Sequence, residues 1–312
     1  MMHLTRLLPL PLIVILLLAT GVNAPSTNVT LAFMGDIMLG RGIAQVYSSP
    51  DWAMWEEAFA AIKPYLVPAD LALANLESPI THAPILSGVA FDLRAPPESL
   101  AALKAGGFDL LALANNHIMD CGEAGLQDTQ EALKRAGITP IGPNPEPVYK
   151  NVRGLTIAFI AFDDVSSRID ATEATRIVRD ARQKTPLVIV SIHWGREYMP
   201  APEPRQIELA QKLAEAGATI IWGHHPHVLQ PVKWIDWEGG DQTLAAYSLG
   251  NLLFDQPTPP DAQRSAILWV NLSSKGVEKI NLTALEMNRG KIELADAQTA
   301  EIIQNRTGVL IK

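Results

Sequence analysis

The 312-residue chain has a single cysteine, Cys121. No intrachain disulfide can form, so packing alone must hold the fold, and zinc sites that need two or more cysteines are excluded. Without a neighbouring basic signature beyond His117, Cys121 reads as a buried thiol rather than a nucleophile. Positive charge is also scarce: 25 Lys and Arg stand against 33 Asp and Glu, for a formal net charge of −8. Such a chain lacks the basic footprint that attracts phosphate backbones, so nucleic acid is not an expected partner. Repeats and linker-like segments are missing too, which favours one catalytic domain over a solenoid or a string of modules.

What is present is ample core material, with 48% of residues hydrophobic and 19% charged. Residues 1–24 form a targeting segment. Arg6 supplies a positive start, Leu7 to Ala19 an apolar stretch, and Val22-Asn23-Ala24 small residues at signal-peptidase spacing. The stretch falls short of the about 20 residues of a comfortable membrane span. Pro25 directly after the cut is unusual, so a cleaved signal peptide and an uncleaved N-terminal membrane anchor both stay open. Either way the body, residues 25–312, is expected outside the cytoplasm, secreted or anchored to the cytoplasmic membrane.

Apolar periodicity predicts strands at Val29 to Met34, Leu71 to Ala74, Phe108 to Ala114, Leu155 to Phe162, Leu187 to Ile192 and Ala218 to Trp222. Helical spacing falls between them, at Asp51 to Leu66 (Asp51 as N-cap), Pro97 to Ala105, Glu123 to Ala136, Ala171 to Gln183 and Glu203 to Ala216. This alternation predicts an α/β fold with covered sheet faces. After Trp222 the pattern changes to strands at Thr243 to Leu249, Ser265 to Leu272, Val277 to Met287 and Lys291 to Leu294. Their turns predict an antiparallel end, read as a second sheet packed on the first.

Polar motifs follow the strands, at the carboxyl ends where such folds bind ligands. Gly35-Asp36 offers a carboxylate after a sharp turn, and Asn75-Leu76-Glu77 offers two oxygen ligands. Taken singly, both are better explained as turn chemistry. Asn115-Asn116-His117 places a carboxamide beside an imidazole, with Asp120 positioned to orient His117. His193 ends an apolar strand, and Glu197 and Tyr198 can support it. Gly223-His224-His225-Pro226-His227 puts three imidazoles within four residues on a loop, a cluster that usually binds metal. Carboxylate, carboxamide and imidazole together suit a centre of one or two divalent ions of Mn, Zn or Fe type.

Six ordered motifs carry a resemblance: Met34 to Arg41 (MGDIMLGR), Ala74 to Ile80 (ANLESPI), Ala114 to Asp120 (ANNHIMD), Ile192 to Gly195 (IHWG), Gly223 to Val228 (GHHPHV) and Tyr247 to Asn251 (YSLGN). Over residues 29–255 the chain resembles the CapA/PgsA family of bacterial capsule and poly-γ-glutamate synthesis proteins, itself similar to calcineurin-like metallophosphoesterases. The resemblance implies a four-layer αββα sandwich, with antiparallel strands over 265–295 closing the fold. It implies Asp36, Asn75, Glu77, Asn116, His193, His225 and His227 as metal ligands, and His117 with Asp120 as the catalytic acid. Arg41, Arg94, His224 and Asn251 are candidate substrate contacts. The implied partners are an anionic capsule polymer such as poly-γ-glutamate and membrane-bound synthase components.

One departure stands out. Metallophosphoesterases carry Asp-x-His at the first motif, and this chain has Met38 at the histidine position. The expected activity is therefore a metal-dependent hydrolase or release factor acting on an anionic extracellular polymer. A non-catalytic metal-binding component of a synthesis or export complex is the alternative, and a phosphoesterase the third reading.

Overall fold

A computed structural model of the chain describes residues 28–48, 53–238 and 242–311. The expected targeting segment and the expected N-cap Asp51 lie outside these residues. The strands are β1 (Val29–Ile37), β2 (Leu71–Leu76), β3 (Leu110–Ala112), β4 (Thr139–Ile141), β5 (Val148–Val152), β6 (Leu155–Asp163), β7 (Val188–His193), β8 (Ile220–His224), β9 (Val232–Asp236), β10 (Gln242–Ala246), β11 (Asn251–Leu253), β12 (Arg264–Ser273), β13 (Gly276–Asn288) and β14 (Lys291–Leu294). The helices are α1 (Arg41–Tyr47), α2 (Lys63–Leu66), α3 (Leu100–Gly106), α4 (Gly122–Arg135), α5 (Ala171–Arg182), α6 (Pro204–Glu215) and α7 (Ala297–Thr307).

The strands form two sheets. One runs β14-β13-β12-β1-β2-β3-β4, with β11 also paired to β1, and the other runs β5-β6-β7-β8-β10-β9. Period-two alternation decides the layers, because successive side chains point to opposite faces. On β1, Leu31 and Phe33 enter the core between the sheets, while Ala32 and Met34 face helices on the other side. On β6, Ile157 and Phe159 face the inter-sheet core, while Ala158 and Ile160 pack with Val178 of α5 and Leu209 of α6. Helices cover both outer faces, so the expected αββα sandwich is the observed architecture.

Two local expectations are corrected. The helix expected over 51–66 is instead a 3-10 turn at Ala53–Glu57 followed by the short α2. Pro64 is the reason: it lacks an N–H and is tolerated only in a first turn, which restarts the helix there. The C-terminal strands, in turn, do not build a sheet of their own. β12 runs antiparallel to β1, from Val29 opposite Leu272 to Phe33 opposite Leu268, and β13 and β14 extend the same sheet. This pairing satisfies an edge of β1 that would otherwise expose unpaired backbone groups.

Two glycines, one in each sheet, pack against the segment that crosses from β10 to β11. A Cβ on Gly35 would stand 1.9 Å from the Gly250 carbonyl oxygen, and one on Gly223 would stand 2.1 Å from that of Tyr247. Only glycine allows these backbone approaches. The sheets are also joined directly, since Trp222 Nε1 donates to the Met34 carbonyl at 2.9 Å.

Candidate metal centre

Both sheets contribute to one buried polar cluster. The β1–β2–β3 side supplies Asp36, Glu77, Asn116 and His117. The β7–β8 side supplies His193, His225 and His227. Asp36, Glu77 and His193 are fully buried, and His227 is 2% exposed. Asp36 sits within the end of β1, opposite Asn75 of β2 and Asn251 of β11, at an irregularity in register.

Three imidazoles converge on one carboxylate oxygen. The Nε2 atoms of His117, His193 and His227 lie 3.9, 3.9 and 3.7 Å from Glu77 Oε1. These gaps are too long for hydrogen bonds. Two donors each about 2.1 Å from a shared ion stand at most about 4.2 Å apart, so the His193 and His227 gaps suit ligands around a cation, and the His117 gap leaves its Nε2 within reach of the same centre. Both Glu77 oxygens, both His193 nitrogens, Asn116 Oδ1 and His225 Nδ1 are buried without a hydrogen-bond partner among the described residues. Orphaned polar atoms at this density call for a missing partner. Two donor groups lie within 4.8 Å, one of Asp36, Glu77 and His227, the other of Glu197, His225 and His227. They share His227, so the donor set has room for one ion or two, and it fits a divalent metal with oxygen and imidazole preference.

Neighbouring residues fix the tautomers. Asn251 Nδ2 donates to the Ala262 carbonyl at 3.1 Å and to Gln256 Oε1 at 3.0 Å. Its Oδ1 therefore faces His227 Nδ1, 2.9 Å away, with Asp36 Oδ2 at 3.4 Å on the same nitrogen. Both neighbours only accept, so Nδ1 carries a proton and Nε2 is the nitrogen aimed at the centre. His117 Nδ1 donates to Asp120 Oδ2 at 2.8 Å, which likewise aims its Nε2 inward.

The charges are mutually adjusted. Burial raises the pKa of the Asp36 carboxyl, but His224 and His227 beside it hold it well below the ordinary carboxylate range. Burial pushes the Glu77 carboxyl up to about 7, with Asp36 adding to the rise and His227 opposing it. Burial and the other imidazoles keep His193 well below the usual imidazole range and bring His225 down to about 3. Burial would lower His227 as well, but Glu77 and Asp36 outweigh it and raise it to about 9. Burial opposes protonation of His117 too, yet Asp120 and Glu77 raise it. The pattern places positive charge between two buried carboxylates, and neutral His193 and His225 are in the form that binds metal.

Several sequence assignments change. Asn75 does not face the centre as a ligand: its Nδ2 donates to Asp36 Oδ1 at 2.9 Å and its Oδ1 accepts from Asn115 Nδ2 at 3.2 Å. Its polar atoms are thus committed to positioning Asp36. Asn251 and His224 are buried rather than open to a substrate. Asn251 orients His227, and His224 sits edge-on to Trp222 with Nδ1 3.1 Å from Asp36 Oδ1. Arg41 and Arg94 do reach the surface, but each is paired, to Asp255 and Asp92, both at 2.7 Å. Met38 is fully buried, and its Sδ accepts from the Gly40 N–H at 3.1 Å.

Glu197 enters the donor set more directly than its place after His193-Trp194-Gly195 indicates. Gln256 was not foreseen at all. Its Nε2 donates to Tyr198 Oη at 3.0 Å while its Oε1 holds Asn251, and Tyr198 N–H donates to the Pro226 carbonyl at 2.8 Å. No short motif marks Gln256, because its role exists only once three distant loops meet.

Known proteins of similar sequence identify the family. The family model described as "Bacterial capsule synthesis protein PGA_cap" matches residues 30–256. The capsule biosynthesis protein CapA of Bacillus anthracis is 32% identical, over 90% of this chain and 75% of its own length. The PGA biosynthesis protein CapA of Bacillus subtilis (strain 168) is 30% identical, over 82% and 71%. A probable polyglutamine synthesis accessory protein of Mycobacterium tuberculosis, Rv0574c, is 28% identical over 66% and 70%. A solved structure of a hypothetical protein from Thermus thermophilus covers 83% of this chain and 100% of that one. Its TM-score is 0.52 at 16% identity, a likeness of fold alone. On the extent of the family match and of the CapA likeness, the chain belongs to the PGA_cap family of bacterial capsule synthesis proteins.

Proposed function

We propose that the protein acts outside the cytoplasm in capsule or poly-γ-glutamate biosynthesis, as a metal-dependent hydrolase or release factor on an anionic polymer. The observation that carries this reading is the convergence of His117, His193 and His227 on Glu77 Oε1, with the surrounding donors unpaired. Glu77, Asp36, Asn116, His193, His225, His227 and Glu197 would hold the ion. When bound, a divalent cation polarises a carbonyl or phosphoryl oxygen and lowers the pKa of water. The protein's own part is positional. Asn75 and Asn115 fix Asp36 and the β2 end, and Asn251 fixes His227. His117 is the most accessible imidazole of the converging three, and Asp120 steadies it. Its Nε2 is the atom from which a proton passes to a leaving group.

The relatives named for capsule and PGA biosynthesis support an anionic poly-glutamate as the polymer. A second reading has a specific observation behind it. Met38 removes a nitrogen ligand from the first motif, which fits a centre that binds the polymer without cutting it, in complex with membrane-bound synthase components.

The test is chain-length analysis of poly-γ-glutamate incubated with the protein, with and without Mn or Zn, beside metal content. We expect metal-dependent shortening by wild type. His117→Asn should keep the metal but lose at least about 100-fold in rate, and His193→Ala should lose the metal. Metal bound at stoichiometry with polymer length unchanged would reject the hydrolase and favour the binding component.

A further inference from the structure

A cavity adjoins the centre through Phe254, whose ring lies 4.9 Å from that of His227. It measures ≈ 220 Å³ and lies between α1, the segment after β11 and the β13–β14 turn. Ile43, Val46, Phe254 and Met287 make its apolar walls, and Gln256, Gln263 and Arg289 are polar groups around it. Gln256 belongs to both places: it lines this cavity and holds Asn251, which orients His227. The cavity and the centre therefore share a wall.

Its charge is unbalanced in one direction. Asp255, the acidic lining residue, is already neutralised by Arg41 at 2.7 Å and accepts from the Gly42 N–H at 2.9 Å. Arg289 is exposed and forms no ion pair or hydrogen bond with any described residue. Yet the turn that carries it is fixed. Tyr47 Oη donates to the Gly290 carbonyl at 3.0 Å, and Arg289 itself holds a left-handed φ of 50°. The guanidinium is thus presented from an anchored turn with its charge uncommitted.

We propose that this cavity is a subsite for one unit of a γ-linked glutamate chain, resting on the polymer reading above. Such a unit has two methylenes in its main chain, an amide, and a free carboxylate. The methylenes suit the walls of Ile43, Val46, Phe254 and Met287. The amide suits the remaining Nε2 hydrogens of Gln256 and Gln263, whose other hydrogens donate to Tyr198 Oη and the Pro257 carbonyl. The carboxylate suits Arg289, whose planar fork matches it bidentately. An α-linked glutamate chain places its methylenes in the side chain, between backbone and carboxylate, and cannot lay both along the cavity in this way. The shared wall then sets the next unit beside the metal centre.

The test uses the full chain loaded with Mn, and γ-linked and α-linked glutamate oligomers of equal length. Wild type should bind the γ-linked oligomer more tightly than the α-linked one. Arg289→Gln should weaken γ-linked binding roughly three- to tenfold and flatten its salt dependence, and Val46→Phe, which fills the cavity, should weaken it similarly. Metal content should match wild type in both variants. Wild-type affinity for the γ-linked oligomer in both variants would overturn the subsite while leaving the polymer reading intact. Failure of metal-loaded wild type to bind the γ-linked oligomer would overturn the polymer reading and the subsite with it.

Discussion

His225 and His227 sit at φ of 93° and 58° on either side of Pro226, in backbone that side chains other than glycine rarely adopt. Conformations of this kind cost about 1–3 kcal/mol each and persist where the surroundings hold them. Here they are held by the Tyr198 N–H on the Pro226 carbonyl and by the His225 N–H on Asp36 Oδ2 at 3.2 Å. The strain turns both rings toward the centre. It follows that metal-free His225→Gly should be more stable than metal-free His225→Ala by about 1 kcal/mol, since glycine accepts the backbone freely. Urea unfolding of the two variants decides this, and equal midpoints would reject strain at that position. The ranking of Asn75 and Glu77 also belongs to single residues. They stand two positions apart and share a face, so alternation cannot separate them. Asn115 settles it by taking the Asn75 carbonyl oxygen, which leaves Glu77 with both oxygens unpartnered.

Among elements, the loop after β6 ties three of them together through one carboxylate. Arg205, near the start of α6, reaches both oxygens of Asp164 at 2.6 and 2.5 Å, and Arg168 reaches one at 3.0 Å. The Ile169 N–H, just before α5, donates at 2.9 Å. Burial opposes the charge on Asp164, but these donors hold its pKa below the usual 3.8. Since the folded value is the lower one, the stabilisation is complete above 3.8 and drains away as pH falls through the folded value. Asp164→Asn should cost about 2 kcal/mol near neutrality, and the difference from wild type should narrow as pH falls below 3.8. Denaturation at about pH 7 and about pH 3 measures it; a constant difference would place the effect in packing instead. Elements such as β1, β6, β7 and β8 were legible because they alternate or run apolar for whole strands. The three-residue β11 was not, because its pairing with Asp36 is a tertiary event. The C-terminal strands were found as strands but assigned to the wrong sheet, since nothing local in residues 264–273 names β1 as their neighbour.

At the scale of the molecule, the centre draws ligands from both sheets, so an ion bound there holds the sheets together. Ion at about 100 times its dissociation constant adds about 2.7 kcal/mol to stability by mass action. Mn or Zn should therefore raise the thermal midpoint by several degrees and a chelator should reverse it, with Glu77→Gln unresponsive. A midpoint indifferent to metal would speak against the centre. The family and the αββα layers were readable from ordered motifs, but the cavity beside α1 was not, because its walls come from four separate segments.

The pairing of β12 with β1 has a consequence in time. Asn271 Nδ2 donates to Thr30 Oγ1 across 241 positions of chain. The strand that carries Asp36 thus waits for one of the last strands to be made before its second edge is covered. Closing so distant a contact is slow. A chain emerging from the ribosome N-terminus first exposes Asp36 long before the histidines from residue 193 onward arrive. The buried cluster is therefore completed only after residue 227 is made, and until then a nascent chain holds Asp36 and Glu77 without the imidazoles that converge on them.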